Sequence, residues 1–319
     1  MSKIAFLFPG QASQYPGMGR DLDAKFPESH AAFEEADAAV GFPISKLCFE
    51  GPEDDLKLTE NTQPAILTVS VAAYRALEKH GVTPDLVAGH SLGEYSALVA
   101  AGALAFSDAV KLARRRGQYM QEAVPAGEGA MAAILGLSPS DVAEICKKAA
   151  GNEVVSAANL NSPDQIAISG HAGAVKRAVE IASQSGAKRA VMLAVSAPFH
   201  CALMLPAQQR FEADLRATKF SAPRFPVITN VDAEAIESGD EAREALIRQV
   251  SLPVRWLESV REMIDRGVNV FVEVGPGKVL SGLLRQIDRS VRCFNVEDAA
   301  SLQASLEKIA HARAEFADT

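Results

Sequence analysis

In the segment VAGHSLGEYSAL, residues 87–98, Ser91 stands between two glycines as Gly89-His90-Ser91-Leu92-Gly93. An apolar run precedes it and a helix-forming run follows. A G-x-S-x-G motif at a strand-to-helix junction is how a sharp turn projects a serine hydroxyl into a cleft at a helix N-terminus. The same placement also suits a serine that caps a helix. A serine hydroxyl is a weak nucleophile at neutral pH and needs a base, and the chain has six histidines to draw on. His30, His80 and His311 lie in polar helical stretches and read as solvated. His171 falls at a turn, and His90 is adjacent to Ser91, where neighbouring side chains diverge. His200, in VSAPFHCALM, lies between a strand end and a helix start and is the favoured base. KLARRRGQYM adds three cations, Arg114, Arg115 and Arg116. Successive helix positions turn by about 100°, so at most one or two of them face one cleft. Taken singly, each reads as part of a solvated basic face.

These residues need elements to hold them. IAFLF (residues 4–8), breaking into PGQ, and DLVAG (85–89) read as buried strands. NTQPAILTVSVAAYRALEKHG reads as a long helix with Thr62 as its cap, Pro64 in the first turn and Gly81 past its end. FPVITN (225–230), VNVFVEVG (268–275) and RCFNV (292–296) read as further buried strands, separated by helical stretches. Strands alternating with helices imply a mostly parallel sheet covered on both faces. From about Met131 the order becomes strand, helix, strand, strand, helix, strand, the last being KRAVMLAVS (188–196). That order is the split unit of a ferredoxin-like domain. The expected fold is therefore α/β: a hydrolase-like large domain (1–126 and 198–319) and an inserted ferredoxin-like small domain (127–197). Pro125, Gly127, Gly129 and Pro198 mark the joins, and the cleft between the two is the expected site.

Composition narrows the partners. The 319 residues are 48% hydrophobic and 23% charged, as in an ordinary globular protein of one large or two moderate domains. Lys and Arg number 32 against 40 Asp and Glu, a net charge of −8 that argues against nucleic-acid and anionic-membrane partners. Cys48, Cys146, Cys201 and Cys293 show no paired metal-ligand spacing, so a reduced, cytoplasmic chain without structural zinc is expected. No apolar run is long enough for a signal h-region or a membrane span. EVGPGKVLSGLLRQ lacks the spacing of a nucleotide phosphate loop.

Seven stretches together carry a resemblance: FLFPGQASQYPGMG, TQPAILTVSVAAY, GHSLGEYSALVAAG, RRGQYMQEAVPAGEGAMAAI, APFH, RQVSLPVRW and EVGPGKVLSGL. In this order, over residues 6–283, they resemble the malonyl-CoA:acyl carrier protein transacylases of bacterial fatty acid synthesis. The resemblance implies the same two-part fold and an acyltransferase acting on malonyl-CoA and a phosphopantetheinylated acyl carrier protein, with no cofactor or metal. It places the nucleophile on Ser91 and the base on His200. The oxyanion donors fall on the backbone N–H groups of Gln11 and Leu92, where fixed donors need no reorganisation as charge develops. Gln249 supplies an oxygen to the second nitrogen of the histidine, in place of a triad carboxylate. Arg116, before Gly117, receives the malonyl carboxylate, and Phe199 narrows the acyl pocket. An acidic carrier would dock on local cations, for which Lys188, Arg189, Lys278 and Arg285 are the candidates. The alternative is a serine esterase or thioesterase of the α/β-hydrolase type. That class wants an Asp or Glu between Ser91 and His200 at a strand end, where none is clearly placed, and leaves the arginines unexplained. A carrier-docking subunit with a relict site would have lost the serine or the base.

Overall fold

Strand β1 (Lys3–Phe8) has five consecutive buried residues, so both of its faces must be covered. Ile4, Phe6 and Phe8 point into one core and Ala5 and Leu7 into another. The computed structural model describes residues 2–315 and shows how this is done. β1 lies between β2 (Leu86–Gly89) and β9 (Val268–Val274), parallel to both, and β10 (Arg292–Val296) continues the sheet beyond β9. Beyond β2 lie β7 (Val227–Ile228), parallel, and β8 (Ala235–Ile236), antiparallel, giving the order β10-β9-β1-β2-β7-β8. Helices Thr59–Lys79 and Phe106–Glu122 contribute to the core on the Phe6 face, where the Tyr74 ring meets Phe6 and Phe8 edge-on at 6.3 and 6.4 Å. Helices Trp256–Asp265 and Val279–Ile287 cover the other.

A second sheet is built between β2 and β7 in the chain. It contains β3 (Gly129–Leu135), β4 (Val155–Ser162), β5 (Gln165–His171) and β6 (Arg189–Met192), all antiparallel, in the order β4-β5-β3-β6. Helices Pro139–Ala150 and Ala172–Gln184 pack on it around Ile134, Val142, Ile145, Ile166, Ile168 and Val175. The element order and strand order are ferredoxin-like. Edge strand β4 also touches the first unit: Leu160 N–H donates to Val254 O (2.9 Å) and Val254 N–H to Ala158 O (2.8 Å). The expected class, a mostly parallel α/β sheet with a separate ferredoxin-like unit, is the one observed. Among the described residues no helix is long and apolar enough to cross a membrane.

Three local expectations differ from the structure. The long helix begins at Thr59, so Thr62 does not cap it and Pro64 lies inside it. The Thr62 hydroxyl donates back to the Leu56 and Leu58 carbonyls of the approaching chain. The FPVITN strand shrinks to two residues because the Asn230 N–H is drawn off the ladder by the Glu94 side chain. The last strand of the small sheet stops at Met192. Residues 193–196 leave the sheet and line a cavity.

Phe6→Ala removes the ring at the centre of the larger core and is expected to cost about 3–5 kcal/mol. Urea unfolding followed by the fluorescence of Trp256, the single tryptophan, measures it. A loss below about 1 kcal/mol would show that β1 is not the packed centre of the fold.

Candidate active site

The turn after β2 is folded hard against itself. A Cβ on Gly89 would lie 1.9 Å from the carbonyl carbon of Gly93, and one on Gly93 would lie 2.0 Å from the Phe8 carbonyl oxygen. No side chain fits at either position, which accounts physically for the G-x-S-x-G spacing. Between them Ser91 takes the left-handed conformation, φ +52°, a strained state for a residue with a side chain. His200 is held in the same region, φ +58°.

The hydroxyl and the imidazole meet. Ser91 Oγ lies 2.6 Å from His200 Nε2, and His200 Nδ1 lies 2.9 Å from the main-chain carbonyl oxygen of Gln249. A carbonyl oxygen only accepts, so Nδ1 carries the proton and Nε2 is left to accept from the serine hydroxyl. His200 is 3% exposed. Burial, and then the neighbouring Arg116 charge, push its pKa down to about 3. The ring is therefore the neutral, proton-accepting form at physiological pH. The partner on Nδ1 is a backbone carbonyl, not the carboxylate of an esterase triad.

Arg116 is 1% exposed. Its Nη1 donates to Gln63 Oε1 (2.7 Å), and its Nη2 donates to Gln249 Oε1 (2.8 Å) and Ser91 Oγ (3.1 Å). All three acceptors are neutral, and Nε has no partner among the described residues. The guanidinium also lies 5.7 Å from the centre of the Tyr95 ring. The helix separates its neighbours from the site. Arg114 stacks over Phe42 and donates to Asn61, and Arg115 reaches Asp214 on the surface.

A buried amide network backs this cluster. Asn230 Oδ1 accepts from Ser91 N–H (2.6 Å), and Asn230 Nδ2 donates to Gly89 O (2.7 Å). Gln249 Nε2 donates to Ser91 O and to Glu94 Oε2, both at 2.9 Å. His90 points away from the serine, with Nε2 2.8 Å from Asn161 Oδ1 and its ring 5.4 Å from that of Trp256. The whole opens into a cavity of about 710 Å³ whose walls include Gln11, Ser91, Arg116, Phe199, His200 and Asn161.

Ser91, His200, Arg116 and Gln249 thus form one hydrogen-bonded cluster. Gln11 sits on the cavity wall, and its side-chain oxygen accepts from Thr59. Leu92 is buried at the start of helix Gly93–Ala100. Among the described residues neither the Gln11 nor the Leu92 N–H is donated to another protein group. Lys188, Arg189, Lys278 and Arg285 are all exposed, but Lys188 lies 3.7 Å from Asp164 and Lys278 3.4 Å from Glu297, which weakens them as a docking patch for an anionic partner. Sequence reasoning missed Glu94, Asn230 and Gln63. Glu94 passes for an ordinary first-turn acid, and Asn230 ends a strand, where the only signal was a polar residue closing an apolar run.

A tight G-x-S-x-G turn on a mostly parallel sheet, a histidine bonded to its serine and a buried cation come together here, and residues 5–310 match the acyl transferase domain family, which makes the protein an acyltransferase. Over 311 residues, 97% of this chain and 98% of the other, it is 48% identical to a malonyl CoA-acyl carrier protein transacylase of Bacillus subtilis (strain 168). It is also 48% identical over 308 residues, 96% of this chain and 100% of the other, to one of Escherichia coli (strain K12). Superposition on the Coxiella burnetii transacylase gives a TM-score of 0.94 at 45% identity, covering 96% of this chain and 97% of that one. A malonyl-transacylase solved in complex with a type II PKS acyl-carrier protein gives 0.94 at 45% identity, covering 96% and 100%. The chain belongs to the malonyl CoA-acyl carrier protein transacylase family.

Between about pH 3 and the ordinary histidine value of 6.5, the unfolded chain binds a proton at His200 that the native state refuses. Acidification through that window therefore removes stability at this residue. In ¹⁵N-histidine NMR spectra the His200 ring should remain the Nδ1–H tautomer down to about pH 5. A midpoint near 6.5 would mean that the ring is neither desolvated nor under the Arg116 field.

Proposed function

We propose that this protein transfers the malonyl group of malonyl-CoA to the phosphopantetheine thiol of an acyl carrier protein, by a ping-pong route through a malonyl ester on Ser91. One observation carries the reading: a buried guanidinium with only neutral partners lies 3.1 Å from a hydroxyl that is itself 2.6 Å from a neutral imidazole. The hydroxyl and imidazole supply acyl transfer. The guanidinium supplies preference for an acyl group that ends in a carboxylate.

In the first half-reaction Ser91 Oγ attacks the thioester carbonyl while His200 Nε2 takes its proton. The N–H groups of Gln11 and Leu92 receive the developing oxyanion; one such donor is worth about 3 kcal/mol. Collapse breaks the carbon–sulfur bond, and His200 returns the proton to the departing CoA thiol. In the second half-reaction His200 deprotonates the carrier thiol, which attacks the Ser91 ester, and the serine leaves with the proton restored. Gln249 holds the ring through its carbonyl oxygen, and no cofactor or metal is required. The esterase alternative is disfavoured by the carbonyl on Nδ1 and by the cation beside the nucleophile. The division into 1–126 with 198–319 and 127–197 puts Ser91 and His200 on one unit and Asn161 on the other, across the cavity. Four cysteines without disulfides are consistent with a reduced, cytoplasmic setting.

Mixing with malonyl-CoA should add one malonyl group, mapped by mass spectrometry to Ser91. Label that persists in Ser91→Ala overturns the assignment. Arg116→Ala should cost malonyl transfer about 2–5 kcal/mol, because one partner of a desolvated charge pair is removed, and acetyl transfer far less. Arg116→Lys should recover only part, lacking the fork. Equal losses with both acyl groups would make the arginine structural.

A further inference from the structure

We propose that Glu94 is a positioning residue for acyl transfer, fixing through Asn230 and Gln249 both the turn that carries Ser91 and the guanidinium beside it. The inference rests on the acyl-transfer reading and deepens it. Glu94 is the second residue of helix Gly93–Ala100, where an acid favours the helix dipole. A solvated acid would do that without desolvation, yet Glu94 is 1% exposed. Its position is explained by what it holds. Oε2 accepts from Asn230 N–H and from Gln249 Nε2, both at 2.9 Å.

Those two residues reach every part of the cluster. The Asn230 side chain bridges Gly89 O and Ser91 N–H, pinning the main chain on both sides of His90. Gln249 holds Ser91 O through Nε2, Arg116 through Oε1 and the His200 ring through its main-chain oxygen. A primary amide can rotate by half a turn and exchange its oxygen for its NH₂. An ionised carboxylate only accepts, so Glu94 obliges Gln249 to turn its NH₂ inward and its oxygen toward Arg116. With the amide reversed, two donors would face each other at the guanidinium and Arg116 would lose an acceptor.

Glu94 also titrates in a useful range. Burial pushes its carboxyl up to about 7, against the pull of the Gln249 and Asn230 hydrogen bonds and of Arg116. Asp232 acts in the raising direction, and Tyr95 and Arg248 also feel its charge. His200, held near 3, contributes nothing in that range. Acylation should therefore fall as pH drops through about 7, when a protonated Glu94 no longer dictates the amide orientation.

The test is single-turnover formation of malonyl-Ser91 by the full chain, mixed with malonyl-CoA between about pH 5.5 and 8.5, with adduct amplitude counting competent molecules. Glu94→Asp, which withdraws the carboxylate, and Glu94→Ala should slow acylation about 100-fold, the scale of an ångström of misplacement. Glu94→Gln, whose oxygen can take the same two bonds, should keep the rate within about tenfold and lose the limb near pH 7. Wild-type rates per competent molecule in Glu94→Asp and Glu94→Ala overturn the proposal, and so does a limb that survives in Glu94→Gln. If the first two variants do not fold, the profile of Glu94→Gln decides alone. Adduct on Ser91→Ala would overturn the acyl-transfer reading itself. Ser91-dependent labelling with unaffected Glu94 variants would overturn only the positioning role.

Discussion

A full positive charge buried with no anion in direct contact is the constraint around which this site is arranged. Removing a guanidinium from water costs several kcal/mol, and neutral acceptors return only part of it. The Arg116 side chain is met by two amide oxygens, a hydroxyl and an aromatic face, and by no carboxylate within hydrogen-bond reach. The imbalance has consequences in both directions. Together with burial it keeps His200 in the neutral form that can accept a proton, and it leaves the site electrostatically incomplete until a substrate brings an anion. On the proposed reading that anion is the far carboxylate of malonyl, so binding relieves a cost already built into the free protein.

The same constraint explains what stands behind the histidine. A carboxylate on His200 Nδ1 would stabilise imidazolium more strongly, as in hydrolases. It would also place an anion close to Arg116, competing with the substrate for the guanidinium. The Gln249 carbonyl orients the ring without adding charge. Glu94, the nearest buried carboxylate, is separated from Arg116 by the Gln249 amide. Its burial keeps its own ionisation marginal. The site thus keeps its one carboxylate at the distance of one amide from its one cation.

How much of this was legible in the sequence follows from the range of each interaction. Strands buried on both faces announce themselves as largely apolar runs, which is why β1, β2 and β9 were readable. The elbow was readable because sterics confine Gly89 and Gly93 to one residue type. The start of helix Thr59–Lys79 was not, because Thr62 satisfies carbonyls of its own approach segment and Pro64 is tolerated inside a well-packed helix. The choice of Arg116 among three arginines came from resemblance; periodicity alone allows any of them. Asn230 and Glu94 stayed hidden because their contacts to each other and to residue 249 span 19 to 155 positions, and no local pattern encodes such pairings.

The two sheets divide the work unequally. Ser91, His200 and Arg116 all belong to the segments around the parallel sheet, where a turn, a loop and two helices converge at the strand ends, the usual place for ligands in such folds. The ferredoxin-like unit supplies the opposite wall, tied down through the bonds between β4 and Val254 and through Asn161 on His90. The cavity between them, about 710 Å³, is larger than a three-carbon acyl group needs and can admit the arm that delivers it. In the proposed route donor and acceptor carry the same kind of arm to the same serine, so one must leave before the other enters. On the proposed reading both arms use this cavity and the same serine, so the acyl group has to wait on the protein. The ester on Ser91 in the proposed route is thus favoured by the geometry as much as by the chemistry.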